Sequence, residues 1–283
     1  YFVYAILNPV ATDPTCRPSK SSTVTVNPVP SVNAVANKTN CVGTTVPATV
    51  FSSSTPGTVF AWSRTGEAIG LAATSGTGNV PAFTATNTGT APLTSTFTVT
   101  PSFTANGVTC TGSSITFTIT VNPTPTIDQP ASQVVCNNST TAAVSLTGSV
   151  PGTVFTWVNN NTSIGLGASG TGNIASFNAV NTGTTPVVAT ITVSASYTNN
   201  GVTCPDGTRT FTITVNPTPT VNAVSSQVRC NGTATAAIAF SGAVTGTVFN
   251  WTNNTPSIGL AASGTGNIAS FTAVNTGNAP VVA

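Results

Sequence analysis

Six cysteines carry the most reactive side chains of this sequence, which contains no histidine and only four acidic residues among 283. They form two sets, each with a spacing of about 94 residues: Cys16, Cys110 and Cys204, and Cys41, Cys136 and Cys230. An even number of cysteines in a threonine-rich, charge-poor chain indicates disulfide bonds and an oxidising compartment. A cysteine metal site is not expected, because no two cysteines are close in sequence.

Other kinds of site chemistry have few candidate residues. General acid–base catalysis needs histidine or two close carboxylates, and a calcium site needs several carboxylates in one short loop. Nucleic-acid binding needs a dense basic patch. Charged residues make up only 4% of the chain and are dispersed, so the sequence predicts no enzyme, no cofactor, no metal and no nucleic-acid partner. No apolar run reaches the roughly 18 residues that a membrane span requires.

The cysteines belong to a repeating unit. The sequence Gly-Thr-Val-Phe-x-Trp begins at Gly57, Gly152 and Gly246, which are 95 and 94 residues apart. Val-Asn-Pro-x-Pro begins at Val26, Val121 and Val215 with the same two spacings. A period of this length is one small domain rather than a short solenoid repeat, so the chain is predicted to contain tandem copies of a domain.

Each unit has the pattern of a β-sandwich. Short segments alternate Thr with Val, Ile or Phe, and clusters of Gly, Pro and Asn separate them. A period of two is typical of half-buried strands, and seven or so short strands per unit predict an all-β protein of antiparallel β-sandwich domains. One Trp lies mid-strand in each unit, with a Phe two residues earlier on the same face. We expect these residues to be core: Trp62, Trp157, Trp251, Phe60, Phe155 and Phe249.

The phase of the repeats divides the chain into four segments. Residues 29–123 and 124–217 are predicted to be complete β-sandwich repeats, and residues 1–28 the last two strands of an incomplete one. Residues 218–283 are the first strands of a further repeat, to be completed by the next copy or by continuing chain. The Asn-Pro-x-Pro joints between repeats are extended and semi-rigid, so the domains are expected to form a stiff rod or fibre.

A family resemblance follows from the order of these motifs. Cys-Asn-Gly at Cys230, then Gly-Thr-Val-Phe-x-Trp, then Gly-Val-Thr-Cys ending at Cys110 and Cys204, then Thr-Ile-Thr-Val-Asn-Pro resembles the PKD-like, immunoglobulin-like tandem repeats of large Bacteroidota cell-surface proteins. The resemblance covers essentially the whole chain. It implies immunoglobulin-like domains in a protein that is secreted, extracellular or at the cell surface, exported by the type IX route. The acidic loop residues of classical PKD domains are missing, so calcium binding is not carried over.

Two disulfide arrangements are open. Pairing within a unit gives Cys41–Cys110 and Cys136–Cys204. In an immunoglobulin-like topology, however, the two cysteines of one unit lie at opposite ends of the domain, and disulfide Cα atoms must be within about 7 Å. That topology favours pairing across a junction, as in Cys41–Cys204, with Cys16 and Cys230 finding partners only in another copy or in continuing chain.

Two functions fit these features. The first is a structural repeat segment of an extracellular filament or long surface adhesin, whose partners are copies of itself or further repeats joined head to tail. The alternative is a carbohydrate- or surface-binding module whose Gly/Asn-rich loops, residues 75–79, 169–173 and 263–267, contact surface glycans. Loop glycines also suit tight turns with positive φ, which is the interpretation we favour.

The N-terminal strand has an unusual outer face. Phe2, Tyr4 and Ile6 stand where the other copies carry Thr or Ser, whereas the inward positions match those of the repeats. An apolar stripe on the outer face indicates a covered surface. We therefore predict a fibre contact through these three residues.

Overall fold

The computed structural model of the chain describes the backbone of residues 2–5 and 20–283 and the side chains of residues 22–283. In this part of the chain the regular elements are strands and two 3₁₀ turns, Thr162–Ile164 and Pro256–Ile258. The first pair of strands, β1 (Phe2–Ala5) and β2 (Lys20–Thr23), is antiparallel and forms a separate two-stranded sheet.

The first sandwich contains eight strands: β3 (Lys38–Cys41), β4 (Thr45–Val46), β5 (Val59–Gly66), β6 (Ser75–Thr77), β7 (Phe83–Thr84), β8 (Leu93–Ala105), β9 (Val108–Thr111) and β10 (Ile115–Asn122). Its large sheet has the order β3-β10-β8-β5-β6, with β9 also paired to β8, and β4 pairs with β7 in a separate sheet. Alternate side chains of β8 are buried. The ring of Phe97 stacks on Phe117 at 5.0 Å and contacts Trp62 at 6.0 Å.

The second sandwich repeats this plan with β11 (Gln133–Cys136), β12 (Val154–Asn159), β13 (Ser169–Thr171), β14 (Val187–Asn199) and β15 (Val202–Asn216). Its large sheet has the order β11-β15-β14-β12-β13. Isolated bridges, among them Val144–Ile174, form the rest of the strand pairing. Ile191 on β14 and Ile213 on β15 are fully buried in the core. The chain is therefore an all-β protein with tandem immunoglobulin-like β-sandwiches, which confirms the predicted fold class.

One strand pair in each large sheet is parallel, which corrects the expectation of purely antiparallel sheets. Strand β3 runs parallel to β10, and β11 runs parallel to β15. The first and last strands of each sandwich run in the same direction, so the first strand can join this sheet edge only as a parallel neighbour. The pairing places Cys41 opposite Asn122 and Cys136 opposite Asn216, at the end of each sheet.

Residues 218–283 form a much smaller structure. Its strands are β16 (Asn250–Thr252) and β17 (Ser263–Thr265), and residues 218–283 contain no strand equivalent to β14 or β15. Trp62 and Trp157 are core residues, and Phe60 and Phe155 are half-buried against those cores. Trp251 is only half-buried, contrary to the prediction, because residues 218–283 contain no strands equivalent to those that cover Trp62 and Trp157. Phe249 is half-buried, as Phe60 and Phe155 are.

The chain divides into two compact units. The first comprises Tyr1–Pro125, Ser149–Thr153 and Ser196–Asp206, and the second comprises Thr126–Gly148, Val154–Ala195 and Gly207–Ala283. The tip of the β14–β15 hairpin thus belongs to the same unit as the first sandwich. The first unit therefore contains both cysteines of the disulfide described next.

Candidate functional site

The first unit contains two hairpin tips that are each held by an asparagine of an Asn-Pro-x-Pro joint. Asn27 Nδ2 donates to the carbonyl oxygens of Ala105 and Val108, at 2.9 and 3.3 Å, on either side of the β8–β9 turn. Asn122 does the same for the β14–β15 turn, since its Nδ2 donates to the carbonyl oxygens of Asn199 and Val202. We call this arrangement, a joint asparagine bonded to a hairpin tip, the asparagine clamp.

The second clamp is reinforced by a disulfide. Cys41 and Cys204 are bonded, with Cα atoms 5.5 Å apart and a sequence separation of 163. Asn199 Nδ2 also donates to Asn122 Oδ1 at 2.9 Å, so the side-chain amide of Asn122 both donates to and accepts from Asn199. The Cys41–Cys204 bond is the cross-repeat pairing that the sequence favoured, and the parallel β3–β10 pair is what brings Cys41 to this end of the sheet.

Three further cysteines predicted to form disulfides are free thiols in this structure. Cys110 is half-buried, and Cys136 and Cys230 are exposed. The alternative of disulfides within one repeat is wrong, because Cys41 and Cys204 are bonded to each other. Cys110 nevertheless lies at a clamp, with its Sγ 4.0 Å from the carbonyl oxygen of Asn27. Cys16 lies outside the described residues.

Lys38 begins the same edge strand that ends at Cys41. Its Nζ donates to Thr49 Oγ1 at 2.8 Å and to the carbonyl oxygen of Pro47 at 3.0 Å. Burial disfavours the charged form and lowers the pKa of Lys38 below its ordinary value. The lysine therefore holds the loop after β4.

The Gly-rich segments proposed as glycan-contacting loops instead pack within the fold, because a glycine of each segment lies opposite the tryptophan of the neighbouring strand. Trp157 pairs with Gly170 across β12 and β13, and the same register joins Trp62 to Gly76 and Trp251 to Gly264. A Cβ at Gly170 would lie 2.6 Å from Trp157 Cε2, closer than side-chain atoms tolerate. Glycine is required because the indole ring lies directly over the opposite strand.

The asparagine of each Gly-rich segment also has an internal partner. Asn173 Oδ1 accepts from the backbone N–H of Leu146 at 2.8 Å. Asn79 accepts from Phe51, and Asn267 accepts from Phe240, at 3.0 and 2.9 Å. Both residue types that suggested a binding loop therefore serve the fold.

Replacing Gly170 with alanine is expected to lower the free energy of unfolding by about 1–3 kcal/mol, the usual cost of overpacking a core. The matched control is Gly167→Ala in the same loop, where a Cβ meets open space and the backbone φ is ordinary. That variant should stay within about 0.5 kcal/mol of the parent chain. Urea denaturation followed by tryptophan fluorescence measures both, and equal stability of the two variants would contradict the packing explanation.

One polar side chain per copy fixes the loop that follows the tryptophan strand. Asn159 Nδ2 donates to the carbonyl oxygen of Leu166 at 3.1 Å, and Asn253 makes the equivalent bond in the third copy. The first copy has arginine at this position, and Arg64 Nη2 donates to the carbonyl oxygen of Leu71 at 3.2 Å. Sequence reasoning treated Arg64 only as one of the dispersed charges and missed this role.

A second asparagine in each of the two complete sandwiches links a turn to the last strand. Asn181 is buried; its Nδ2 donates to the carbonyl oxygens of Thr185 and Val215, at 2.9 and 2.7 Å. Asn87 makes the same two bonds in the first sandwich. The Asn-Thr-Gly sequence, which recurs at all three positions, is the signal that could have predicted this link.

The predicted fibre contact falls mainly outside the described structure. The backbone of Phe2 and Tyr4 forms part of β1, opposite Thr23 and Ser21. Their side chains, and Ile6 as a whole, lie outside the described residues. The contact through these three residues remains a prediction.

Among residues 2–5 and 20–283, no three His, Cys, Asp or Glu residues are placed to share a metal ion. Over the same residues, no helix has the length and apolar character needed to cross a membrane.

Sheets, cores and clamps together define a tandem immunoglobulin-like β-sandwich protein with a disulfide that joins consecutive repeats. No family model and no curated protein sequence matches the chain. Similar solved structures include titin domains I67–I69 (12% identity, TM-score 0.46, 87% of this chain and 89% of that one) and mouse cadherin-23 EC22-24 (12%, 0.40, 88% and 90%). Sidekick-1 immunoglobulin domains 1–5 are also similar (16%, 0.32, 90% and 57%). These likenesses concern the fold, and no function is carried over from them.

Proposed function

We propose that this chain is a structural repeat segment of an extracellular filament or long surface adhesin, in which repeats are joined head to tail. The observation that carries the proposal is the Cys41–Cys204 bond beside the Asn122 clamp, which fastens the edge strand of one repeat to the hairpin of the next. A covalent bond at such a joint resists separation of the repeats. Its presence also suits secretion to an oxidising environment.

The joint recurs in the sequence, which suits a filament. Asn27 clamps the first hairpin as Asn122 clamps the second, and Cys110 of that hairpin is a free thiol in this structure. The resemblance to Bacteroidota surface repeats supports a bacterial cell-surface origin. The glycan-binding alternative loses its main support, because Gly170 and Asn173 are committed to internal contacts.

Electron microscopy of native material tests the function. An antibody raised against the 283-residue chain is expected to label thin filaments along their whole length, because the segment is their repeating part. A glycan array probed with the same chain should give no binding above that of an unrelated β-sandwich. Label confined to one point per filament, or strong binding to a glycan, would contradict the structural role.

A further inference from the structure

The Cys41–Cys204 bond closes the chain between its two cysteines into a covalent loop. Both cysteines belong to the first compact unit, and their sequence separation is 163. A disulfide holds the two Cα atoms within about 7 Å of each other. Tension that reaches Cys41 along the backbone therefore passes through the sulfur atoms to Cys204. Residues 42–203 are left outside the route that the tension takes.

The loop contains nearly all of the core of the first sandwich. Among the described residues of that core, only Val32 precedes Cys41, and the others lie between Val46 and Val121. The strand that stays under tension is β3, which lies at the edge of the large sheet. All four of its residues are half-buried. Pulling β3 away therefore removes one edge of the sheet and leaves the core of the first sandwich in place.

The second sandwich is less well protected, because tension leaves Cys204 along β15. This strand lies between β11 and β14 in its sheet. It also contributes Phe211, Ile213 and Val215 to the core. Pulling β15 out breaks hydrogen bonds on both of its sides and exposes three core side chains. We therefore expect tension to open the second sandwich while the first one stays folded.

We propose that the Cys41–Cys204 bond is a bypass for tension, which shields the first sandwich when the repeats are pulled along the chain. The proposal deepens the proposed function, on which it rests, by stating how the joint between repeats carries a load. The bypass is sensitive to reductant. Dithiothreitol supplies two electrons and two protons, the S–S bond becomes two thiols, and dithiothreitol becomes a cyclic disulfide.

The loop makes a measurable difference to the length of the unfolded chain. A fully extended chain spans about 3.3–3.6 Å per residue, so the loop holds back about 55 nm. With the bond intact, only residues 1–41 and 204–283 can extend, to about 40 nm in all. With the bond broken, all 283 residues can extend, to about 100 nm.

The test is force-clamp spectroscopy of the full 283-residue chain, held by handles on its first and last residues. Without reductant, the extension should stop at about 40 nm. Dithiothreitol added at constant force should then give an immediate lengthening of about 28 nm from the opened second sandwich. A delayed step of similar size should follow when the first sandwich unfolds, because forced unfolding of a folded domain is limited by its unfolding rate.

The delay is the decisive observation. If the first sandwich had already unfolded inside the loop, breaking the bond would release about 55 nm in one immediate step. That result would overturn the proposal. Extension to about 100 nm without reductant would also overturn it, because the loop would then not be closed.

Two variants serve as comparisons. Cys41→Ser combined with Cys204→Ser should extend to about 100 nm without reductant, and a stop at about 40 nm would overturn the proposal. Cys136→Ser is the matched control, since Cys136 is an exposed free thiol within the loop and should leave both the 40 nm limit and the delay unchanged. The parent chain with and without dithiothreitol carries the test even if the double-serine variant folds poorly.

Failure of this inference is distinguishable from failure of the proposed function. If the antibody labels native filaments along their whole length but the first sandwich unfolds inside the loop, the bypass is overturned and the filament role stands. If the delayed step is observed but the antibody labels each filament at one point, the filament role is overturned and the bypass stands.

Discussion

Replacing Cys41 and Cys204 together with serine is expected to lower the free energy of unfolding of the first unit by about 2–5 kcal/mol. The disulfide closes a loop of 163 residues, and long loops lose the most chain entropy when they are cross-linked. The loss should concentrate at the β14–β15 hairpin tip, whose other attachments include the hydrogen bonds with Asn122 and one from Asn200 Nδ2 to Thr39 Oγ1. Hydrogen exchange measured by mass spectrometry on peptides from residues 196–206 reads this local stability directly.

The matched control for the disulfide is Cys136→Ser. Cys136 is exposed and unpaired, so this variant should stay within about 0.5 kcal/mol of the parent chain when unfolded as a monomer. Reductant should shift the parent chain toward the double-serine variant and leave that variant unchanged. If hydrogen exchange at the hairpin tip is unaltered after the disulfide is removed, the disulfide does not hold the hairpin tip in place.

Replacing Asn181 with alanine is expected to destabilise the second sandwich by about 2–4 kcal/mol. The side chain is 3% exposed, donates to two carbonyl oxygens, and accepts from the backbone N–H of Gly183 at 2.9 Å. Alanine would leave these backbone groups unpaired, and each buried unpaired group costs about 1–3 kcal/mol. Hydrogen exchange on peptides from β14 and β15 measures the effect.

Two further variants serve as comparisons for Asn181→Ala. Asn181→Asp keeps the shape and the acceptor for Gly183 but loses both donors, so it should be at least as destabilising as alanine. Asn275→Ala removes the equivalent residue of the third repeat, where the bond to the last strand is absent, and should cost about 1 kcal/mol or less. Equal losses at Asn181 and Asn275 would show that the bond to Val215 contributes little.

Repetition made much of the fold predictable from the sequence. The alternating Thr and aliphatic residues of β8, β10, β14 and β15 indicated half-buried strands, and the structure confirms the all-β sandwich. Trp62 and Trp157 lie in the cores. The parallel edge pair could not be read from alternation, because a period of two is the same for both strand directions.

The site was less predictable than the fold. Asn27, Asn122 and Asn181 are common turn residues, and their sequence positions do not show which carbonyl oxygen they bond. Glycine in the Ser-Gly-Thr-Gly-Asn segments suggested only a turn. The packing of Trp157 over Gly170 emerges when β12 and β13 lie side by side.

By itself the sequence determined the domain type, the period of the repeat, the two phases of cysteine and the absence of residues for most catalysis. Those properties depend on residue type and spacing, which are local. Only the tertiary structure decided which thiols meet and which asparagines act as clamps. Such contacts join residues as far apart as Cys41 and Cys204, and strand direction and sheet order alone bring them within bonding distance.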